Sequence, residues 1–87
     1  MANEVATEDD LKAAMQRVKS AGSVGTSDQL ALYALYKQAT AGDASGARPG
    51  MLDVRGRAKF DAWAGKRGTS AADARAAYVA LVARLVP

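Results

Sequence analysis

An all-α fold of four helices is predicted by three features of this sequence. Apolar residues recur at spacings of three and four along separate stretches, and capping residues stand just ahead of those stretches. No stretch alternates apolar and polar residues convincingly enough for a strand, and no heptad is sustained long enough for a coiled coil.

The first helix is expected from about residue 8 to 20. Thr7 is its N-cap, and Glu8, Asp9 and Asp10 place negative charge over the positive end of the helix dipole. Leu11, Ala14, Met15 and Val18 form its apolar stripe, with Lys12, Gln16 and Lys19 on other faces. Ala21 to Gly25 breaks the period and reads as a loop. Thr26 with Gln29 fits a capping box opening a second helix that runs to about Ala41, where Gly42 can supply a left-handed cap. On it Leu32, Leu35 and Ala39 offer an apolar stripe, while Tyr33, Tyr36, Lys37 and Thr40 share a neighbouring strip suited to a pocket wall.

Asp43 to Val54 is the longest irregular stretch, marked by Asp-Ala-Ser-Gly and Arg-Pro-Gly turn signals. Met51 and Leu52 are expected to pin it to the core. Asp53 caps a short third helix over roughly 55 to 66, with Gly56 and Gly65 weakening its ends. Ser70, with Asp73 at N3, caps a last helix to about Leu85, whose inner face is Ala74, Ala77, Tyr78, Leu81, Val82 and Leu85. Residues 1 to 6 read as a frayed tail.

The 87 residues suit a single domain with a thin core, because alanine supplies much of the hydrophobic fraction. Leu30, Phe60 and Trp63 join the residues above as core candidates. With neither histidine nor cysteine, the commonest general base, thiol nucleophile and metal ligands are missing, so an enzyme or a metal centre is not expected. The polar, acidic start lacks the pattern of a secretion signal, and no run is long enough to span a bilayer; a soluble cytoplasmic protein is expected. A net charge of +3 does not repel an anionic partner. The cations at Arg48, Arg55, Arg57, Lys59, Lys66 and Arg67 are interrupted by Gly56, Asp61 and Gly65, which argues against a nucleic-acid-binding stripe.

YKQATAGD from Tyr36, RPGMLD from Arg48, RGRAKFDAW from Arg55, Gly68-Thr69-Ser70 and Ala77-Tyr78 stand in the order and spacing of one family. From Leu11 to Leu85 the chain resembles the acyl-CoA-binding proteins. The resemblance implies an up-down-down-up bundle with a long connection between the second and third helices. It also implies one-to-one, non-catalytic binding of long-chain acyl-CoA, for buffering and transport, without a cofactor. By position, the ligand-binding residues implied are Lys19, the window Tyr33, Ala34, Leu35, Tyr36 and Lys37, then Arg55, Lys59 and Tyr78. The resemblance turns Lys37 and Lys59 toward the ribose 3′-phosphate, sets the tyrosines around that phosphate and the adenine, and lays the acyl chain in an interhelical groove. It further implies a monomer without stable membrane insertion, whose partners are acyl-CoA-using enzymes or a transiently touched membrane. The sequence departs from the family pattern at Phe60, commonly tryptophan, at Arg55 and Arg57, often lysine, and at Met15, usually smaller. The alternative is a small helical interaction module using the same groove for a partner helix.

Overall fold

The computed structural model describes residues 6–87, which form α1 (Glu8–Ser20), α2 (Thr26–Ala41), α3 (Val54–Ala64) and α4 (Ala71–Leu85). Local chemistry explains where each helix begins. Thr7 Oγ1 accepts from Asp10 N at 3.1 Å while the Asp10 carboxylate accepts from Thr7 N at 2.9 Å, a complete capping box. Ser70 Oγ accepts from Asp73 N at 3.0 Å, and Asp53 Oδ1 accepts from Gly56 N at 3.0 Å. A Cβ at residue 56 would run into the Asp53 carboxylate, so Gly56, read in the sequence as a weakness, is what lets that cap close.

Helix α2 departs from the expected start. Its N-cap is Gly25, and Thr26 lies inside the helix, so the Thr26–Gln29 capping box does not form. Gln29 turns back instead, and its Nε2 donates to Val24 O at 2.7 Å, tying down the preceding loop. At the other end Gly42 takes φ +82°, a conformation that L side chains rarely adopt, and the helix stops there.

The four helices lie in a row. α4 packs on α1 and on α2, α2 packs also on α3, and the α1 and α2 backbones do not approach each other directly. The row therefore reads α1, α4, α2, α3, in keeping with the flat envelope of 40 × 29 × 16 Å. Leu11 and Ala14 from α1, Leu32 and Leu35 from α2, and Tyr78, Leu81 and Val82 from α4 form the core, with Met15, Val18 and Leu85 partly buried against it. Leu30 and Phe60 are also only partly buried, and Ala77, expected inside, is exposed, because α4 turns Ala74, Tyr78 and Leu81 inward.

Helices α2 and α3 run parallel, as the side chains of their seam make visible. Lys59 Nζ lies 5.5 Å from the Tyr33 ring centroid, and Lys37 Nζ lies 4.8 Å from that of Trp63. Each pair is displaced by four residues in the same direction on both helices, which only a parallel register allows. Two parallel neighbours require a long crossing connection, and residues 42–53 supply it.

That connection is anchored by polar groups. Gln38 is 1% exposed, and its Nε2 donates to Asp43 Oδ1 at 2.8 Å and to Thr69 O at 2.9 Å. Asp43 Oδ1 also accepts from Gly68 N, Trp63 Nε1 donates to Gly42 O, and Arg67 donates to Ala44 O. Ala44 is buried, and Arg48 pairs with Asp61 on α3 through two bonds of 2.9 and 2.6 Å. Met51 and Leu52, expected to pin the segment, do not: they are 82% and 100% exposed. Asp53 N donates to Gly50 O in a tight turn that delivers Asp53 to its cap, and that turn carries residues 51 and 52 outward. Of the expected N-terminal tail, residues 1–5 lie outside the described residues, whereas the Ala6 carbonyl accepts from Arg75 Nε.

The bonds from Gly68 N and Gln38, with the Arg67 charge, hold the Asp43 carboxyl below the usual carboxylate range. A depressed folded pKa stabilises the fold above the unfolded value, and that contribution disappears as pH falls through the folded one. Asp43→Asn should therefore lower the thermal midpoint at neutral pH. The gap from the parent should close at a pH acid enough to protonate the folded carboxylate, which calorimetric melts across the acid range would check.

Candidate functional site

Because α1 and α2 are held apart by α4, a cavity of about 450 Å³ opens between them. Met15, Val18 and Lys19 line it from α1, Gly22 and Val24 from the following loop, and Gln29, Leu32, Tyr33 and Tyr36 from α2. Tyr78 contributes from α4 and Lys59 from the far side, on α3. The apolar members are core residues whose outer surfaces remain uncovered; the polar ones are phenols and ammonium groups.

The charge pattern is one-sided. No carboxylate lines the cavity, and among the described residues the only ion pair is Arg48–Asp61, so Lys19 and Lys59 face it without a counter-ion. An anion entering there meets donors that are not already engaged. Tyr36 and Tyr78 meet as a tilted pair with ring centroids 6.3 Å apart. Burial, and then the neighbouring Tyr36, push the Tyr78 hydroxyl above its ordinary pKa, so at neutral pH it keeps its proton and can donate. Among the described residues no protein group hydrogen-bonds the hydroxyl of Tyr33, Tyr36 or Tyr78.

Of the residues singled out in the sequence, the cavity gathers Lys19, Tyr33, Tyr36, Lys59 and Tyr78 from all four helices. Lys37 is half-buried one turn along the α2–α3 seam, its ammonium over Trp63. Arg55 lines an adjoining hollow of about 240 Å³ with Thr26, Gln29, Leu30, Ala58 and Lys59. Ala34 and Leu35 are buried in the packing of α2 and line neither space.

Sequence reasoning did not select Val24 or Gln29. Both were read as loop and cap, yet they form one wall, joined by the Gln29–Val24 hydrogen bond. The available signal was a lone valine in a glycine- and serine-rich loop, which has no reason to be apolar unless it is covered.

A row of four helices with an open, acid-free cavity ringed by phenols and unpaired ammonium groups defines a small helical bundle whose cavity is chemically suited to an anionic ligand. The family model described as Acyl CoA binding protein matches residues 8–82. The chain is 60% identical over 60 residues to the acyl-CoA-binding protein homolog of Manduca sexta, covering 68% of this chain and 67% of that protein. It is 45% identical over 78 residues to acyl-CoA-binding protein homolog 1 of Caenorhabditis elegans, covering 90% and 88%. Among solved structures, acyl-CoA-binding protein 2 of Oryza sativa superimposes with a TM-score of 0.85 at 34% identity, over 90% of this chain and 88% of that one. The chain belongs to the acyl-CoA-binding protein family, whose members bind their ligand and do not transform it.

Proposed function

We propose that residues 1–87 act as one binding domain that takes up a single long-chain acyl-CoA thioester, buffers it and carries it in the cytoplasm, as a monomer, to acyl-CoA-using enzymes. The observation that carries this reading is the α1–α2 cavity, in which unpaired Lys19 and Lys59 meet three tyrosines and an apolar wall. Acyl-CoA has matching parts. Its 3′-phosphate suits Lys59 with a tyrosine hydroxyl, with Lys37 one turn along the same seam. The adenine suits the rings and the apolar surface of Met15 and Val18.

The tail has an exit. Gln29 and Lys59 line both the cavity and the hollow between α2 and α3, so the two spaces adjoin. There Leu30, Ala58 and the aliphatic stems of Arg55 and Lys59 offer apolar surface. Holding head and tail together makes the second engagement intramolecular, so neither end need bind tightly alone.

Titration calorimetry with saturated acyl-CoAs of increasing length tests the reading. A methylene fully transferred from water is worth roughly 0.8 kcal/mol, so affinity should rise by up to about fourfold per added carbon until the hollow is filled, then level off. An affinity independent of chain length, or free CoA binding as tightly as palmitoyl-CoA, would contradict it.

A further inference from the structure

The α1–α2 cavity has a neighbour farther along α2. Leu11 from α1, Ala39 from α2 and Arg75 from α4 line a second hollow of about 280 Å³, and Met15 and Tyr36 are the two residues that line both spaces. Together these two side chains divide what is otherwise one trough. They differ in freedom. The Tyr36 ring is braced against Tyr78, with centroids 6.3 Å apart, whereas Met15 is an unbranched thioether packed from outside on the core. On the far side the Arg75 guanidinium donates through Nε to Ala6 O at 2.6 Å, which fixes that wall.

We propose that Met15 sets the size of the nucleotide base this chain accepts, by closing the cavity at the base edge farthest from the ribose. The proposal rests on the acyl-CoA reading of the cavity and adds a direction to it. Lys59, the group proposed for the 3′-phosphate, stands over Tyr33, and the proposed tail exit lies toward Gln29 and Leu30. The cavity that remains for the base is its other end, where Tyr36 and Met15 stand. A base whose outer edge carries an added group must push Met15 aside, and Met15 is already in contact with the core on its other flank. Truncating the side chain joins the two spaces, and the added group then has the Ala39 hollow to enter.

The test compares palmitoyl-CoA with the palmitoyl thioester of etheno-CoA, in which an extra ring is fused across that edge of the adenine, by titration calorimetry. The parent should bind the etheno ligand about tenfold more weakly, the cost of overfilling a packed site. In Met15→Ala the ratio of the two affinities should shrink to about twofold or less. The etheno ring also removes the 6-amino donor, but that loss is common to every variant and cancels when ratios are compared. Met15→Leu keeps the volume and should keep the parent ratio. Ala39→Leu added to Met15→Ala refills the hollow and should bring the discrimination back. If circular dichroism shows Met15→Ala unfolded, Met15→Val makes the same comparison with a smaller change expected. A parent that does not discriminate, a ratio unchanged by truncating Met15, or no effect of Ala39→Leu would overturn the proposal. A purely structural Met15 gives the second of these, because both ligands then weaken together. Failure of the acyl-CoA reading looks different: palmitoyl-CoA itself would bind the parent no more tightly than free CoA.

Discussion

Lys59→Ala should weaken binding of palmitoyl-CoA by roughly ten- to a hundredfold, corresponding to the roughly 1.5–3 kcal/mol of a hydrogen bond to a charged group. Lys59 lines the cavity, has no carboxylate partner among the described residues, and is held over the Tyr33 ring at 5.5 Å, so its ammonium is placed before a ligand arrives. The loss should be selective. Dephospho-palmitoyl-CoA lacks the 3′-phosphate, so its affinity should fall far less in the same variant, and calorimetry with both ligands separates the cases. Tyr33→Phe removes a neutral hydroxyl and keeps the ring under Lys59, so it should cost less, about 0.5–1.5 kcal/mol. Equal losses for the two ligands, or a larger effect from Tyr33→Phe, would detach Lys59 from the phosphate. The side chain is exposed, so the fold should be unaffected and the loss attributable to binding.

Trp63→Ala should have the largest effect on stability, about 3–5 kcal/mol in denaturant unfolding. In a domain whose total is roughly 5–15 kcal/mol this removes a large share of the margin. Trp63 is 9% exposed, meets Phe60 edge to face with centroids 6.2 Å apart, and carries the Lys37 ammonium over its ring. Its indole N–H donates to the Gly42 carbonyl at 2.7 Å, joining α3 to the end of α2 where the chain leaves for its long crossing. Trp63→Phe should separate the two contributions: most of the apolar contact survives while the carbonyl loses its donor, for about 1 kcal/mol. A Trp63→Ala protein as stable as the parent would mean that the α2–α3 seam is held elsewhere.

Much of the fold was legible because it is written locally. Thr7, Asp53 and Ser70 cap where short-range chemistry says they should, and Gly42 ends α2 at positive φ. The misreadings share a cause: tertiary geometry overrode a local rule. Thr26 and Gln29 have capping-box spacing, but Gly25 takes the cap position and Gln29 is spent on the Val24 carbonyl. Met51 and Leu52 are apolar and were assigned inward, yet the turn that aims Asp53 at Gly56 aims them outward, and the small Ala44 anchors the connection in their place.

The candidate site was legible in part. Tyr33, Tyr36 and Lys37 share a helical strip by spacing alone, but periodicity on separate helices cannot say that Lys19, Lys59 and Tyr78 arrive at the same opening. That convergence depends on the order of the row and on the parallel α2–α3 register, which the family resemblance implied and spacing did not. Ala34 and Leu35 came with the resemblance as parts of a contiguous window; a helix turns 100° per residue, and both point into the core. The polar cluster around Gln38 had no signature in sequence, because its partners, Asp43, Thr69 and Gly68, come together only once the long connection closes.

A crystal structure of the protein with palmitoyl-CoA is the most direct test of whether cations and phenols from different helices converge on one ligand. The ribose 3′-phosphate is expected within hydrogen-bonding distance of Lys59 Nζ and a tyrosine hydroxyl at the mouth of the α1–α2 cavity, with the tail leaving past Leu30 and Ala58. A phosphate bound instead on the Arg55–Arg57 face, with the cavity empty or filled by the acyl chain, would contradict it.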